Sequence, residues 1–155
     1  MGRTVYKAEV GISYRIMIII LFTVGLALML YSTVVEGGMI IVPLLIGAIL
    51  IAISVFLLAL TRTWYEFTDQ GLKIEGYGKY AMLNEEYLEE AVPYSSIRGF
   101  HETTSVNYSV TFTAKALRIE YIKKNGRKDS FVIGPTDREE FVEELTRRTG
   151  LSIGK

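Results

Sequence analysis

Few side chains in this chain could carry chemistry. It has one histidine, His101, and no cysteine. That removes thiol nucleophiles, disulfides and cysteine zinc sites, and makes histidine-based catalysis or metal binding hard to build. His101 is followed by Glu102, where a general base neighbours a carboxylate. Sequence neighbours on a strand point to opposite faces, so the two form no dyad and His101 reads as a surface or rim residue. There is no Gly-x-Ser-x-Gly, no P-loop and no His-Glu-x-x-His. Glu85, Glu86, Glu89 and Glu90 form an acidic cluster. Their i,i+4 spacing would repel on a helix, and the Asp/Asn and glycine pattern of a calcium loop is missing. They read as a solvated or partner-facing patch. Lys123, Lys124, Arg127 and Lys128 surround Asn125-Gly126. Four positive charges on one hairpin tip could meet anionic headgroups, at about 1 kcal/mol each close to the surface. The competing reading is a solvated tip whose charges discourage edge pairing, with Asp129 offsetting part of them. The expectation is no catalytic, cofactor-binding or metal-binding residue, and this tip as the lipid-facing candidate.

The elements that position these residues follow from where the charges lie. Of 34 charged residues, 17 basic and 17 acidic, residues 1–15 hold Arg3, Lys7, Glu9 and Arg15, and residues 16–60 hold only Glu36. The remaining 29 fall in residues 61–155. Half the chain is apolar and its mean hydropathy is +0.28. A greasy segment therefore precedes an ordinary polar domain, which excludes a single soluble globule, a disordered chain and a strongly basic nucleic-acid binder.

Ile16 to Val35 runs 20 residues without a charge, and Met39 to Leu60 runs 22. At 1.5 Å per residue these are roughly 30 and 33 Å long, the thickness of a bilayer's hydrocarbon core. They are apolar all round, with no polar face every 3.6 residues. Glu36-Gly37-Gly38 leaves room only for a turn, so the pair reads as an antiparallel hairpin with Pro43 near the start of its second helix. Arg3, Lys7, Arg15 and Arg62 flank the spans on one side, and Glu36 alone lies on the other. The positive-inside rule then places both termini in the cytoplasm. The first span is too long for a cleaved signal and no A-x-A site follows it. Thr23 with Ala27, and Ala48 with Ala52, have the small-xxx-small spacing that permits close helix approach, either within the hairpin or with another membrane protein.

After Leu60 the period becomes two. Residues 64–68 and 72–75 alternate around Asp69-Gln70-Gly71, a turn in which Gly71 is free to take positive φ. Trp64 and Tyr65 come so soon after the span that they read as an interfacial anchor or as core. Residues 77–90 are compatible with a short helical turn begun at Asn84 or with a bulged strand. Pro93 suggests a strand edge. Ile97–Thr103 and Val106–Thr113 look like strands. Residues 116–122 and 130–133 alternate about Asn125-Gly126, which favours a type I′ turn. Thr136-Asp137-Arg138-Glu139 reads as a capping box, opening a helix to about Arg148 with Phe141, Val142 and Leu145 as its apolar stripe and Gly150 at its end. The predicted order is about six or seven antiparallel strands and then one amphipathic helix that covers the sheet.

These pieces resemble the bacterial pleckstrin-homology-like (PH-like) domains of unknown function that follow two transmembrane helices. The likeness rests on Trp64-Tyr65-Glu66 with Gly71-Leu72-Lys73-Ile74, Val92-Pro93-Tyr94-Ser95-Ser96-Ile97, residues 116–121 and residues 132–141. It covers residues 62–149; the family usually has Ser-Pro where this chain has Gly134-Pro135. The resemblance implies a seven-stranded barrel-like or sandwich fold with a C-terminal capping helix, and it carries no catalytic residues.

The expected architecture is thus α+β: a cytoplasmic arm at 1–15, a transmembrane hairpin at 16–60 and a cytoplasmic PH-like domain at 61–155. The expected role is a membrane-anchored interaction module that binds a protein or anionic lipid, with no catalysis, cofactor or nucleic acid. The alternative is a small accessory or regulatory subunit of a membrane complex, such as a transporter or a peptide-toxin resistance system. An integral-membrane enzyme would need polar catalytic groups within the spans, and they offer none.

Overall fold

The computed structural model describes residues 4–34, 41–83, 87, 89–104, 113 and 116–154. These fall into two compact units, residues 11–59 and a second made of residues 1–10 together with 60–155.

The first unit contains α1 (Ile12–Val34) and α2 (Ile41–Leu60), both long and apolar enough to cross a membrane. Each starts or stops within a few residues of the span read from the sequence. Most of their Ile, Leu, Val and Phe side chains are exposed, while the buried positions are Gly25, Ser32, Gly47 and Ser54. The helices meet at two glycines. A Cβ at Gly25 would lie 2.9 Å from the Gly47 carbonyl oxygen, and one at Gly47 would lie 2.6 Å from that of Gly25. Nearer the other ends, the Tyr14 hydroxyl donates to the Leu57 carbonyl at 3.3 Å. The contacts run in opposite senses along the chain, so the helices are antiparallel. Thr23, Ala27, Ala48 and Ala52 all face outward. The close approach read from the sequence is real, but it is made by other small residues, because only glycine lets the two backbones touch. Ser32 and Ser54 return their hydroxyls to Met29 and Leu50 carbonyls, which satisfies them within their own helices. The Glu36-Gly37-Gly38 turn lies outside the described residues.

The second unit contains two antiparallel sheets and a helix. The first sheet has the order β1 (Thr4–Lys7), β2 (Thr63–Phe67), β3 (Gly71–Gly76), β4 (Val92–Pro93). The second has the order β5 (Ile97–Thr103), β6 (Ala116–Ile122), β7 (Lys128–Ile133). A short helical turn, α3 (Lys79–Met82), follows β3, and α4 (Arg138–Thr149) ends the unit. The Val106–Thr113 strand and a helix start at Asn84 fall on residues outside those described, save Thr113.

Residues 4–9 join the polar domain. Tyr6 pairs with Tyr65, Lys7 pairs with Trp64, and the Ala8 N–H donates to the Thr63 carbonyl at 2.9 Å. The polar domain is therefore discontinuous in sequence, and the whole apolar hairpin is an insertion between two neighbouring strands. Beyond β1 the chain also reaches the end of β7: Glu9 N–H donates to Gly134 O at 2.7 Å and Thr136 N–H to Lys7 O at 3.0 Å.

Alternation fills the core. Tyr65 and Phe67 from β2, Leu72 and Ile74 from β3, Phe100 from β5 and Ile119 from β6 are all essentially inaccessible to solvent. The α4 stripe covers them: Phe141 lies 4.8 Å from the Phe67 ring, 5.3 Å from Tyr6 and 6.0 Å from Tyr65, in tilted or edge-on geometry. Pro93 does sit on an edge strand, where its missing N–H costs nothing. Gly150 ends the helix with φ 72°, its N–H on the Thr146 carbonyl at 2.8 Å.

Three local readings change. Gly71 does not take positive φ; it is small because a Cβ there would lie 2.2 Å from the Val92 carbonyl oxygen. The β2–β3 turn is instead closed by Thr68, whose hydroxyl donates to Gly71 O at 2.8 Å and accepts from Gly71 N–H at 3.1 Å. The capping box does not form: Asp137 is the N-cap, it makes no side-chain cap, and the Thr136 hydroxyl donates to Lys7 O at 3.0 Å. The pairing of β1 supplies that competing acceptor. The β6–β7 turn is not type I′, which needs positive φ at both central residues; Gly126, at 80°, has it and Asn125 does not. Lys123 O accepts from Gly126 N–H and Lys123 N–H donates to Arg127 O, both at 2.9 Å, so the loop is a three-residue turn whose glycine makes the bulge.

Candidate functional site

The basic tip stands on β6 and β7, with Ile122 opposite Lys128 and Tyr121 opposite Asp129. Two of its four cations are held in ion pairs. Lys123 is paired with Asp129 at 2.8 Å, and both are partly covered. Asp129 also accepts from the Ser130 N–H at 2.8 Å and from the Tyr121 hydroxyl at 3.2 Å. Burial alone would raise its pKa, but these donors and the Lys123 ammonium outweigh that and hold it below the usual carboxylate value. Lys124 is paired with Glu90 at 2.8 Å and lies 5.6 Å from the centre of the Tyr87 ring. That pair is exposed and contributes little to stability. Arg127 and Lys128 are exposed, with no ion pair among the described residues. Arg127 offers its backbone N–H to the Asn125 side-chain oxygen at 3.0 Å, which fixes the turn.

Lys128 shares a cavity with Arg98 on β5. The two line an open cavity of about 360 Å³ with Glu120, Tyr121, Asp129 and Ser130. The cavity holds charges of both signs, so it favours no particular ion strongly. Glu90, the partner of Lys124, lines a second cleft with Thr68, Asp69 and Gln70. Those residues form the turn at the end of β2 away from Thr63.

The remaining sequence candidates take structural places. His101 is half-buried on β5, opposite Arg118, while Glu102 is exposed and paired with Arg138 at 3.2 Å. The two do not act together. Glu89 pairs with Lys79 at 3.1 Å, while Glu85 and Glu86 lie outside the described residues. Among the described residues no group of three or more His, Asp or Glu is placed to hold a metal ion.

Sequence reasoning missed an internal ion cluster. Glu144, nearly buried on α4, is held by the Arg147 guanidinium and by Arg148 Nε at 2.6 Å. Arg148 also donates to the Thr68 carbonyl at 2.8 Å and lies 5.5 and 5.7 Å from the Phe67 and Tyr94 ring centres. Burial would raise the Glu144 pKa, yet hydrogen bonds from the two arginines leave it lowered. The i,i+4 spacing of Glu144 and Arg148 was visible in sequence; the aromatic rings that enclose Arg148 were not. Tyr6 donates to Glu140 at 3.3 Å, and burial together with that carboxylate pushes its hydroxyl up to about 12. Tyr65 is wholly buried, which raises its pKa further, and accepts the Gly134 N–H at 3.3 Å. It is core and not an interfacial anchor; Trp64, its neighbour, is 39% exposed. Tyr77 and Tyr80 are more exposed still, at 58% and 62%.

No family model, no curated protein and no solved structure matches this chain.

Proposed function

We propose that the chain is a membrane-anchored interaction module: the hairpin of α1 and α2 spans a bilayer and displays a PH-like domain on the cytoplasmic side. The module binds a protein partner or settles on anionic lipid and does not catalyse a reaction. The observation that carries this reading is the place of the hairpin in the chain. It leaves the sheet after β1 and returns at β2, and these strands pair through Tyr6–Tyr65 and Lys7–Trp64. A sheet built from strands on both sides of two spans can close only if both strands are in one compartment. Two crossings satisfy that; one would not. Arg3, Lys7, Arg15 and Arg62 against Glu36 then favour the cytoplasm. Antiparallel sheets followed by a C-terminal helix, α4, are compatible with the PH-like resemblance, although one of the strands described, β1, comes from before the hairpin.

A second reading, the accessory subunit of a membrane complex, draws support from Thr23, Ala27, Ala48 and Ala52, small residues on the outside of the hairpin. There the spans would carry the partner.

The native chain has no cysteine, so single cysteines at Gly37 and at Ser152 report sidedness. An impermeant thiol reagent applied to intact cells should label position 37 and not 152; the reverse overturns the orientation. Cross-linking pull-down from native membranes would find the partner. A soluble probe to separate the two readings must keep residues 1–10 joined to 60–155, because residues 62–155 alone lack β1. Partner capture by that probe favours the module; capture only by the chain with its spans favours the subunit.

A further inference from the structure

Outside the two long helices, the strongly exposed aromatic side chains among the described residues are Trp64, Tyr77 and Tyr80. They are far apart in sequence but gather at one end of the first sheet. Thr63 pairs with Gly76, and the Gly78 N–H donates to the Thr63 hydroxyl at 3.0 Å. Tyr77 therefore lies between two residues that both touch Thr63. Tyr80 follows three residues after Tyr77, in α3, and Trp64 is the residue after Thr63 in β2. This is also where the chain enters the domain from the apolar hairpin: α2 ends at Leu60. Three residues of chain span at most about 10 Å, whatever path they take. Thr63 thus stands within roughly the depth of a headgroup layer from the last apolar residue of the span.

We infer that Trp64, Tyr77 and Tyr80 form a lipid-facing collar that seats the domain in the headgroup layer of the bilayer its own hairpin crosses. This rests on the membrane reading given above and adds a specific surface to it. The chemistry is that of interfacial aromatic belts, in which an amphipathic ring puts its apolar body toward the acyl chains and its N–H or O–H toward water. Cations accompany the rings, as an anionic leaflet would favour. Arg62 is exposed, Lys7 pairs with Trp64 across the strands and is exposed, and the Lys79 ammonium, itself paired with Glu89 at 3.1 Å, lies 5.3 Å from the centre of the Tyr80 ring. In a soluble domain three large exposed rings at one end of a sheet would be an aggregation risk. Within a few residues of a span they have an apolar medium to enter.

Trp64 is the chain's one tryptophan, so the unmodified protein reports on its own collar. The full chain is placed in vesicles of phosphatidylcholine and phosphatidylglycerol that carry bromine at the headgroup end of the acyl chains. Retention of the protein on flotation after an alkaline wash is scored separately from fluorescence. Trp64 should be quenched. In a Trp64→Phe background, Tyr77→Trp and Tyr80→Trp should be quenched several-fold more than Gln70→Trp, in the turn at the other end of β2. If the protein floats but positions 64, 77 and 80 are quenched no more than position 70, the collar is wrong and the membrane reading stands. If the protein does not float, the membrane reading falls and the collar falls with it.

Discussion

The two units of this chain bury opposite kinds of residue. In the hairpin the inaccessible positions are Gly25, Gly47, Ser32 and Ser54, and large aliphatic side chains point outward along both helices. In the domain the inaccessible positions are chiefly Tyr65, Phe67, Phe100, Phe141 and their aliphatic neighbours, with Glu66 and Glu144 as buried carboxylates among the described residues. The contrast is what the proposed division between bilayer and water would require of the two surfaces. In water, burial of apolar area drives folding at roughly 25 cal/mol per Å². In lipid that drive between helices vanishes, and close backbone contact between small residues takes its place. The hairpin's glycine contacts are of the second kind.

The sharpest way to break this contrast is to make opposite substitutions in the two units. Phe141→Ala removes the ring that touches Tyr6, Tyr65 and Phe67 and should cost the domain about 3–5 kcal/mol by chemical denaturation. Ile49→Ala, of equally apolar type but 58% exposed on α2, should leave the hairpin intact. A small-to-large change should do the reverse. Gly47→Leu puts atoms where the Gly25 carbonyl already sits, and overpacking of that kind costs about 1–3 kcal/mol. Cysteines at Tyr14 and Leu57, joined by a short bifunctional thiol reagent, should cross-link in the unmodified hairpin and much less in the Gly47→Leu variant. Undiminished cross-linking would show that the glycines do not hold the helices together.

The difference between the units also governs what the sequence disclosed. Both apolar helices were legible to within a few residues, because an uninterrupted apolar run is a local signal and nothing distant decides it. The last hairpin and α4 were legible for the same local reason: alternation about Asn125-Gly126, and a stripe ending at Gly150. What stayed hidden depended on pairing across the hairpin. Thr4–Lys7 is too short and too mixed to announce a strand, and its partner lies beyond two spans. The same long-range pairing diverted Thr136 from capping α4 to the Lys7 carbonyl. The collar was half visible: Trp64 sits beside a span in sequence, but Tyr77 and Tyr80 arrive only through the β2–β3 pairing. The tip residues were found, yet their ion pairs with Asp129 and Glu90 change what the tip can do.

A smaller effect tests the cluster of Glu144 with Arg147 and Arg148 on α4. Glu144→Gln should destabilise the domain by about 1–3 kcal/mol at neutral pH, since Arg148 keeps its Thr68 carbonyl and its aromatic faces but loses its carboxylate. The pH dependence has a definite sign. Glu144 and Asp129 both have folded pKa values below their ordinary ones. Their contribution is complete above the unfolded values, about 4.3 and 3.9, and is lost as pH falls through the lower folded values. Thermal unfolding between neutral pH and pH 3 should show an acid loss that is shallower in Glu144→Gln. An identical slope would place the acid sensitivity elsewhere.

The least effect on folding is expected at the basic tip, and the result there decides whether lipid contact is shared or confined to the aromatic end. Changing Lys123, Lys124, Arg127 and Lys128 to Gln removes the Lys123–Asp129 and Lys124–Glu90 pairs. Pairs of this kind contribute about 0–1 kcal/mol each, so the domain should remain folded with a nearly unchanged melting temperature. Four charges near an anionic surface would contribute about 1 kcal/mol apiece. Two of the four are already neutralised by carboxylates, so the attraction left to lose comes chiefly from Arg127 and Lys128. Co-sedimentation with phosphatidylglycerol vesicles, using residues 1–10 joined to 60–155, should fall several-fold at low salt for the Gln variant and converge with the unmodified domain at high salt, because the potential is screened within roughly 8 Å at physiological strength. Equal binding by both at low salt would reduce the tip to a solvated hairpin whose charges keep its edge from pairing, and would leave Trp64, Tyr77 and Tyr80 as the surface that meets lipid.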